Sequence, residues 1–181
     1  DVFGFNANTL DDTPANIEMF DHAGTILFNM VVNPVSGKIL VSNTEMQNEV
    51  RFEGPGVHGG STVQGHVSES RISVLTDLPA NTVEPRHLNK HLNYSLLQEN
   101  LDPAAKPHSL ATPLQMVISS TGTLYVAAYG SGKIGVFDVA EIESNAFDPT
   151  TDSANYISVG GGPAGMALDE TRNRLYILER F

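Results

Sequence analysis

Three stretches repeat one pattern, a polar turn followed by an apolar strand: VNPVSGKILVS at 32–42, ISSTGTLYVA at 118–127 and LDETRNRLYIL at 168–178. Gly37, Gly122 and Asn173 fall where each turn needs positive φ, and the apolar residues after them are mostly β-branched or aromatic. A second unit recurs as NIEMFD at 16–21, RISVLT at 71–76 and KIGVFD at 133–138. Its apolar residues alternate, which predicts half-buried strands; a helix would space them three or four apart. No long amphipathic helix competes, so the pattern predicts an all-β fold.

The repeats also have a period. Ile39, Leu124 and Leu175 hold matching places and stand 85 and 51 residues apart. Propeller blades recur every 40 to 50 or so residues, so the shorter step is one blade and the longer step is one blade with extra chain. Ile39 to Ile72 spans 33 residues where Leu124 to Ile134 spans 10, which places about 23 extra residues between Asn43 and Arg71, with the rest after Ile72. Long loop insertions are thus expected at 44–70 and 83–110. The architecture that repeats such units is a β-propeller; a β-sandwich is the alternative, but it has no reason to repeat the turn and strand in register. Two nearly complete blades, part of one before and half of one after, make an incomplete set. Residues 1–181 are therefore expected to form part of a single β-propeller domain, completed by the remainder of their own polypeptide or by another chain. Val126, Val136 and Ile177 are expected to point inward.

GTLYVAAYGSGKIGVFD at 122–138 and SVGGGPAGMALDETRNRLYIL at 158–178 resemble the YVTN-type bacterial β-propellers. NPVSGKILVSNTEMQNEVRFEGPG at 33–56, TVQGHVSESRISVL at 62–75 and EPRHLNKHLNYS at 84–95 resemble a narrower group. These are large exported bacterial propeller proteins whose chains often carry a c-type cytochrome or di-haem peroxidase-like region. The resemblance implies a periplasmic or extracellular location and a non-catalytic role as scaffold or docking segment in a protein associated with haem electron transfer. An alternative within it is the propeller part of a metal- or haem-dependent oxidoreductase; a lactonase-like hydrolase is a weaker one. Whether the chain is an enzyme is left open, because propellers as such do not imply catalysis.

Charge and composition narrow these options. Lys and Arg total 10 against 21 Asp and Glu, a net charge of -11, which disfavours nucleic acid and anionic membranes as partners. No apolar run approaches the roughly 20 residues of a membrane span, and the start at Asp1 lacks a leader pattern, so a soluble and processed protein is expected. With Cys at 0 the segment holds no disulfide, thiolate zinc site or c-type haem attachment, so no cofactor of that kind is expected within it and any haem belongs elsewhere in the full chain.

Candidate chemistry concentrates in the two insertions. His58 and His66 lie in the first, His87 and His91 in the second, and His108 follows. Neutral imidazoles suit a divalent first-row metal, and Glu69 or Glu84 is placed to complete a set. His87 and His91, four apart, share a face if that stretch is helical. Against a zinc motif, HLNKH lacks the Glu of H-E-x-x-H, and Arg86 and Lys90 stand beside it. The bland expectation is that these histidines hydrogen-bond long loops into place; axial ligation of a haem held elsewhere is a further option.

Other motifs fail on context. Gly160, Gly162 and Gly165 match G-x-G-x-x-G, but Pro163 interrupts and MALD reads as a strand, so a blade-to-blade turn is expected. GSGK at 130–133 lacks the first glycine and the Ser or Thr of a phosphate loop and reads as a hairpin turn. Asp11 with Asp12, and Asp148 with Asp152, lack calcium-loop spacing and read as solvated turns. Asn93-Tyr94-Ser95 matches a glycosylation acceptor only by chance.

Overall fold

Gly37, Gly122 and Asn173 take φ of 78°, 91° and 52°, and each turns one antiparallel strand into the next. The hairpins close through backbone bonds such as Asn33 N–H to Lys38 O (2.8 Å) and Ser119 N–H to Thr123 O (2.9 Å). The computed structural model describes residues 1–9, 11–13, 16–47, 66–77, 80–94 and 103–180. Within these, strands β1 (Val2–Gly4) and β2 (Glu18–Phe20) form a two-stranded sheet. Strands β3 (Ile26–Val32), β4 (Ile39–Met46), β5 (Ser68–Thr76) and β6 (Thr82–His87) form a four-stranded sheet in chain order. A second such sheet contains β7 (Pro113–Ile118), β8 (Thr123–Ala128), β9 (Lys133–Asp138) and β10 (Ile157–Ser158). The pair β11 (Gly162–Asp169) and β12 (Arg174–Arg180) follows, and short helices α1 (Val139–Ser144) and α2 (Pro149–Asp152) connect β9 to β10.

Alternate residues of one strand serve two different cores. In β8, Leu124, Val126 and Ala128 join Leu40, Ile72 and Val74 of the preceding sheet, whereas Ala127, with Tyr125 beside it, packs toward Met166, Leu175 and Ile177 of the following one. In β4 and β5, Val41 and Leu75 turn the other way and meet Val2 and Phe20 of the first sheet. The sheet β7–β10 is therefore covered on both faces, which a two-sheet sandwich does not allow. None of the sheets closes into a barrel. Successive antiparallel sheets stacked face to face, two four-stranded and two two-stranded, are an incomplete set of propeller blades.

The double covering corrects the expectation of half-buried strands. In the two central sheets β5 and β9 bury residues of both parities, while only β3 and β12 show strict alternation of exposed and half-buried positions. Val126 is fully buried, whereas Val136 and Ile177 are half-buried against the second interface. The expected loops are also shorter than their bounds. Strand pairing runs out to Met46 opposite Ser68, so 44–46 and 68–70 are ladder; residues 48–65 lie outside the described part. The start of the second stretch is strand β6, paired along β5 from Thr82 to His87.

Polar side chains pin one sheet to the next. Ser42 Oγ donates to the Leu114 carbonyl (2.5 Å), and Asn29 Oδ1 accepts from Met116 N–H (3.1 Å). Arg86, nearly buried, gives Nε to Ile142 O (2.9 Å) and a terminal nitrogen to Glu143 O (2.6 Å). Glycine marks one close approach. Gly162 backs onto the ring of Tyr129, where a methyl group would collide, so this glycine serves packing between blades. MALD lies within β11, and 130–133 turns β8 into β9, as expected for both.

Candidate metal centre

Pairing across β4, β5 and β6 assembles the site. Arg71 stands opposite Asn43 on one side and His87 on the other, and Glu45 stands opposite Glu69 one step along. These residues share the face on which Val41, Leu75 and Val83 bury, because odd positions of β5 point there. His66, two residues ahead of β5, folds back beside Glu69. Strand register thus brings together groups 21 residues apart in the chain, His66 and His87.

The central carboxylate is shared by cations on one side and imidazoles on the other. Arg71 Nε donates to Glu69 Oε2 at 2.7 Å, a second guanidinium nitrogen reaches the same oxygen at 2.5 Å, and Arg71 also lies 3.8 Å from Glu45. Glu69 Oε1 is left for the histidines: His66 Nε2 is 3.1 Å away and His87 Nε2 is 4.0 Å away. The first contact lacks the alignment of a hydrogen bond and the second is too long for one, so both Nε2 atoms are buried without a hydrogen-bond partner. His66, Glu69 and His87 are thus neighbours, and one ligand atom from each of these residues lies within 4.8 Å of the others.

Tyr94 closes the cluster. Its ring stacks on His66 with centroids 3.6 Å apart and lies 5.4 Å from His87, and the two imidazoles are parallel to within 6°. Burial, reinforced by the negative charge of Glu69, pushes the Tyr94 phenol up to about 12. Burial also lowers the His87 pKa, against the pull of Glu69 and the Ser70 carbonyl, so the ring is held neutral. Its Nδ1 accepts the Asn89 backbone N–H at 3.2 Å. In that neutral tautomer the ring proton sits on Nε2; a ring that offers its Nε2 lone pair must carry the proton on Nδ1 and give up the Asn89 contact.

Four histidines were expected to supply ligands, and the structure sorts them. His66 and His87 come together with Glu69. His58 lies outside the described residues. His91 does not join them: it sits in the turn after β6, not on a helix with His87, and its Nε2 meets Ala105 O (3.1 Å) and Ser109 Oγ (3.2 Å). Its ring meets His108 edge-on at 6.0 Å. Glu84 is engaged with Arg86 and takes no part. The acidic pairs act in turns: Asp11 accepts from Thr13 and Asn16, and Asp148 caps α2 through Thr150. Sequence reading missed Arg71 and Tyr94, and the signal for Arg71 lay in its strand register opposite His87.

Blade-like sheets stacked through two-sided strands, with polar clusters at strand ends, define a propeller-type chain. Among solved structures it is similar to hydrazine synthase from Kuenenia stuttgartiensis, with a TM-score of 0.54 and 14% identity over 88% of this chain and 46% of that one. The chain spans about half the length of that relative, and at this identity the likeness speaks for the fold alone. No protein-family model matches the chain, and no curated protein matches it by sequence.

Proposed function

We propose that this chain is a propeller segment that works as a non-catalytic scaffold and docking surface in an exported bacterial protein associated with haem electron transfer. The observation that carries the reading is the state of the two outermost faces. On the first sheet Phe3 and Met19 pair across the strands and are 53% and 46% exposed; on the last, Tyr176 and Leu178 are 55% and 62% exposed. Their alternate neighbours, Val2 with Phe20 and Leu175 with Ile177, are packed against the next blade inward. A further blade covers such faces in the same way, and repetition of the internal interface makes it the fitting occupant. The YVTN-like motifs and the likeness of the first half to exported propeller proteins with cytochrome regions support the location and the haem association.

A denaturing intact mass and a visible spectrum of the protein from its native source test this. A polypeptide well above 19.4 kDa that carries haem-sized increments and a Soret band is expected. A monomer at 19.4 kDa without haem overturns the reading. The oxidoreductase alternative draws on the His66 and His87 pair; a Soret band that shifts on His87→Ala favours it, and an unchanged band favours docking.

A further inference from the structure

We infer that His66, Glu69 and His87 bind one divalent first-row transition metal of the zinc type, which clamps the segment ahead of β5 to the end of β6. Two imidazole nitrogens and one carboxylate oxygen are the donor set such ions prefer, whereas calcium and magnesium take oxygen ligands almost throughout and copper(I) favours sulfur. One ligand atom from each of the three residues already lies within 4.8 Å of the others. The separations of 3.1 Å and 4.0 Å to the shared Oε1 bracket the spacing of about 3.4 Å that a tetrahedral ion at about 2.0 to 2.2 Å from each ligand imposes on neighbouring donors.

Features beyond the ligands fit the same assignment. Two buried ring nitrogens stand near one carboxylate oxygen with no hydrogen-bond partner, which is costly for a purely structural polar cluster and is removed when the rings turn to give both lone pairs to an ion. Arg71 grips the other oxygen, Oε2, so Glu69 is oriented with Oε1 free, the role an outer partner plays for a ligating carboxylate. Glu45 balances the Arg71 charge from the far side, so the chain Glu45–Arg71–Glu69 keeps a net negative charge toward the ion. Binding requires the His87 tautomer with its proton on Nδ1, so the Asn89 N–H to Nδ1 contact is exchanged for the bond from Nε2 to the ion. Tyr94, stacked on His66, screens the ligands from bulk water.

The site stands independently of the haem reading, because none of its ligands comes from outside the described residues. The test is a zinc titration of the full-length protein after chelator treatment, followed by calorimetry and metal analysis. One equivalent bound here is expected, with affinity lowered by at least about tenfold in His66→Gln, His87→Gln and Glu69→Gln, while His91→Gln changes nothing. Binding that is indifferent to all three ligand variants, or no saturable uptake by the folded wild type, overturns the assignment. A readout on the wild type alone guards against variants that misfold: zinc should shift the ring resonances of His66 and His87, but not those of the exposed His22, in a histidine-selective NMR spectrum. Ring resonances of His66 and His87 that do not move at saturating zinc overturn it as well.

Discussion

The two faces of the sheet β3–β6 are cut from the same strands and are put to opposite uses. Toward β7–β10, Leu40, Ile72 and Val74 meet Leu124, Val126 and Phe137 in a core closed to water. Toward β1–β2, Val41 and Leu75 are apolar, but the far end of the same face carries Asn43, Glu69, Arg71 and His87. The neighbour explains the difference. A four-stranded sheet covers the first face along its length, whereas β1 and β2, three residues each, cover only part of the second. Where no sheet of the described residues lies opposite, segments bearing His66 and Tyr94 approach instead, and ionisable groups find partners there. In this blade residue parity along β5 separates stability from chemistry.

The largest effect should come from the closed face. Ile72→Ala removes a fully buried side chain between two sheets and is expected to cost about 3 to 4 kcal/mol in denaturant unfolding, lost transfer energy plus a cavity. A loss under about 1 kcal/mol would mean that the two blades do not pack as described. Next comes the charged residue within that face. Arg86 stands opposite Ile72 and satisfies the carbonyls at Ile142 and Glu143, at the end of α1. Arg86→Ala is expected to cost about 2 to 3 kcal/mol, since the bonds are charge-assisted and their acceptors are left without them. Arg86→Lys should recover only part of this, because one ammonium does not reproduce the guanidinium fork. Full recovery would show that charge alone, without the fork, holds the sheets together.

A third test separates the two cores of the next sheet. Val126→Ala should destabilise by about 2 to 3 kcal/mol and Val136→Ala by about 1, although both are β-branched strand residues in the same sheet. Val126 is closed off between four-stranded blades; Val136 faces the two-stranded β11–β12 and stays half-buried. Equal losses would place a fuller blade over that second face.

Much of this was legible in the chain. The turn residues, the strand repeats and the two-and-two-halves blade count follow from period-two patterning and from positive-φ chemistry at Gly37, Gly122 and Asn173, all of it local. Burial on both faces was less legible, since RISVLT reads as alternating although Ser73 is as buried as Ile72. Ser73 is tolerated because its hydroxyl donates to Ala23 O at 2.7 Å and accepts from Asn43 Nδ2 at 3.0 Å. In the site, the residue types His, Glu and His were visible, but their grouping was not. Helical spacing joined His87 to His91, whereas β-pairing joins His87 to Arg71 and, through Glu69, to His66. Register is a non-local property, set by the hairpin ladder that continues to Met46 and Ser68, and no motif announces it.

The mildest effect is a titration, and it sharpens the contrast between the faces because the histidine His87 lies on the open one. Burial lowers the pKa of His87 and of His91 from the ordinary value near 6.5. The unfolded chain therefore takes up protons that the fold resists, and stability must fall as pH drops from about 6.5 through the lower folded values, while above 6.5 this contribution is complete. Melting temperature followed from pH 8 to 5 should decline in that window, and His87→Gln should flatten the decline. The carboxylates held low by hydrogen bonds, Asp11, Asp148 and Asp169, lose their contribution only as pH falls below the ordinary carboxylate range near 4, so the decline between about pH 6.5 and 5 belongs to the histidines. Ile72→Ala lowers the whole curve without changing its slope. If it alters the slope instead, the closed face is coupled to the ionising one, and the division by parity fails.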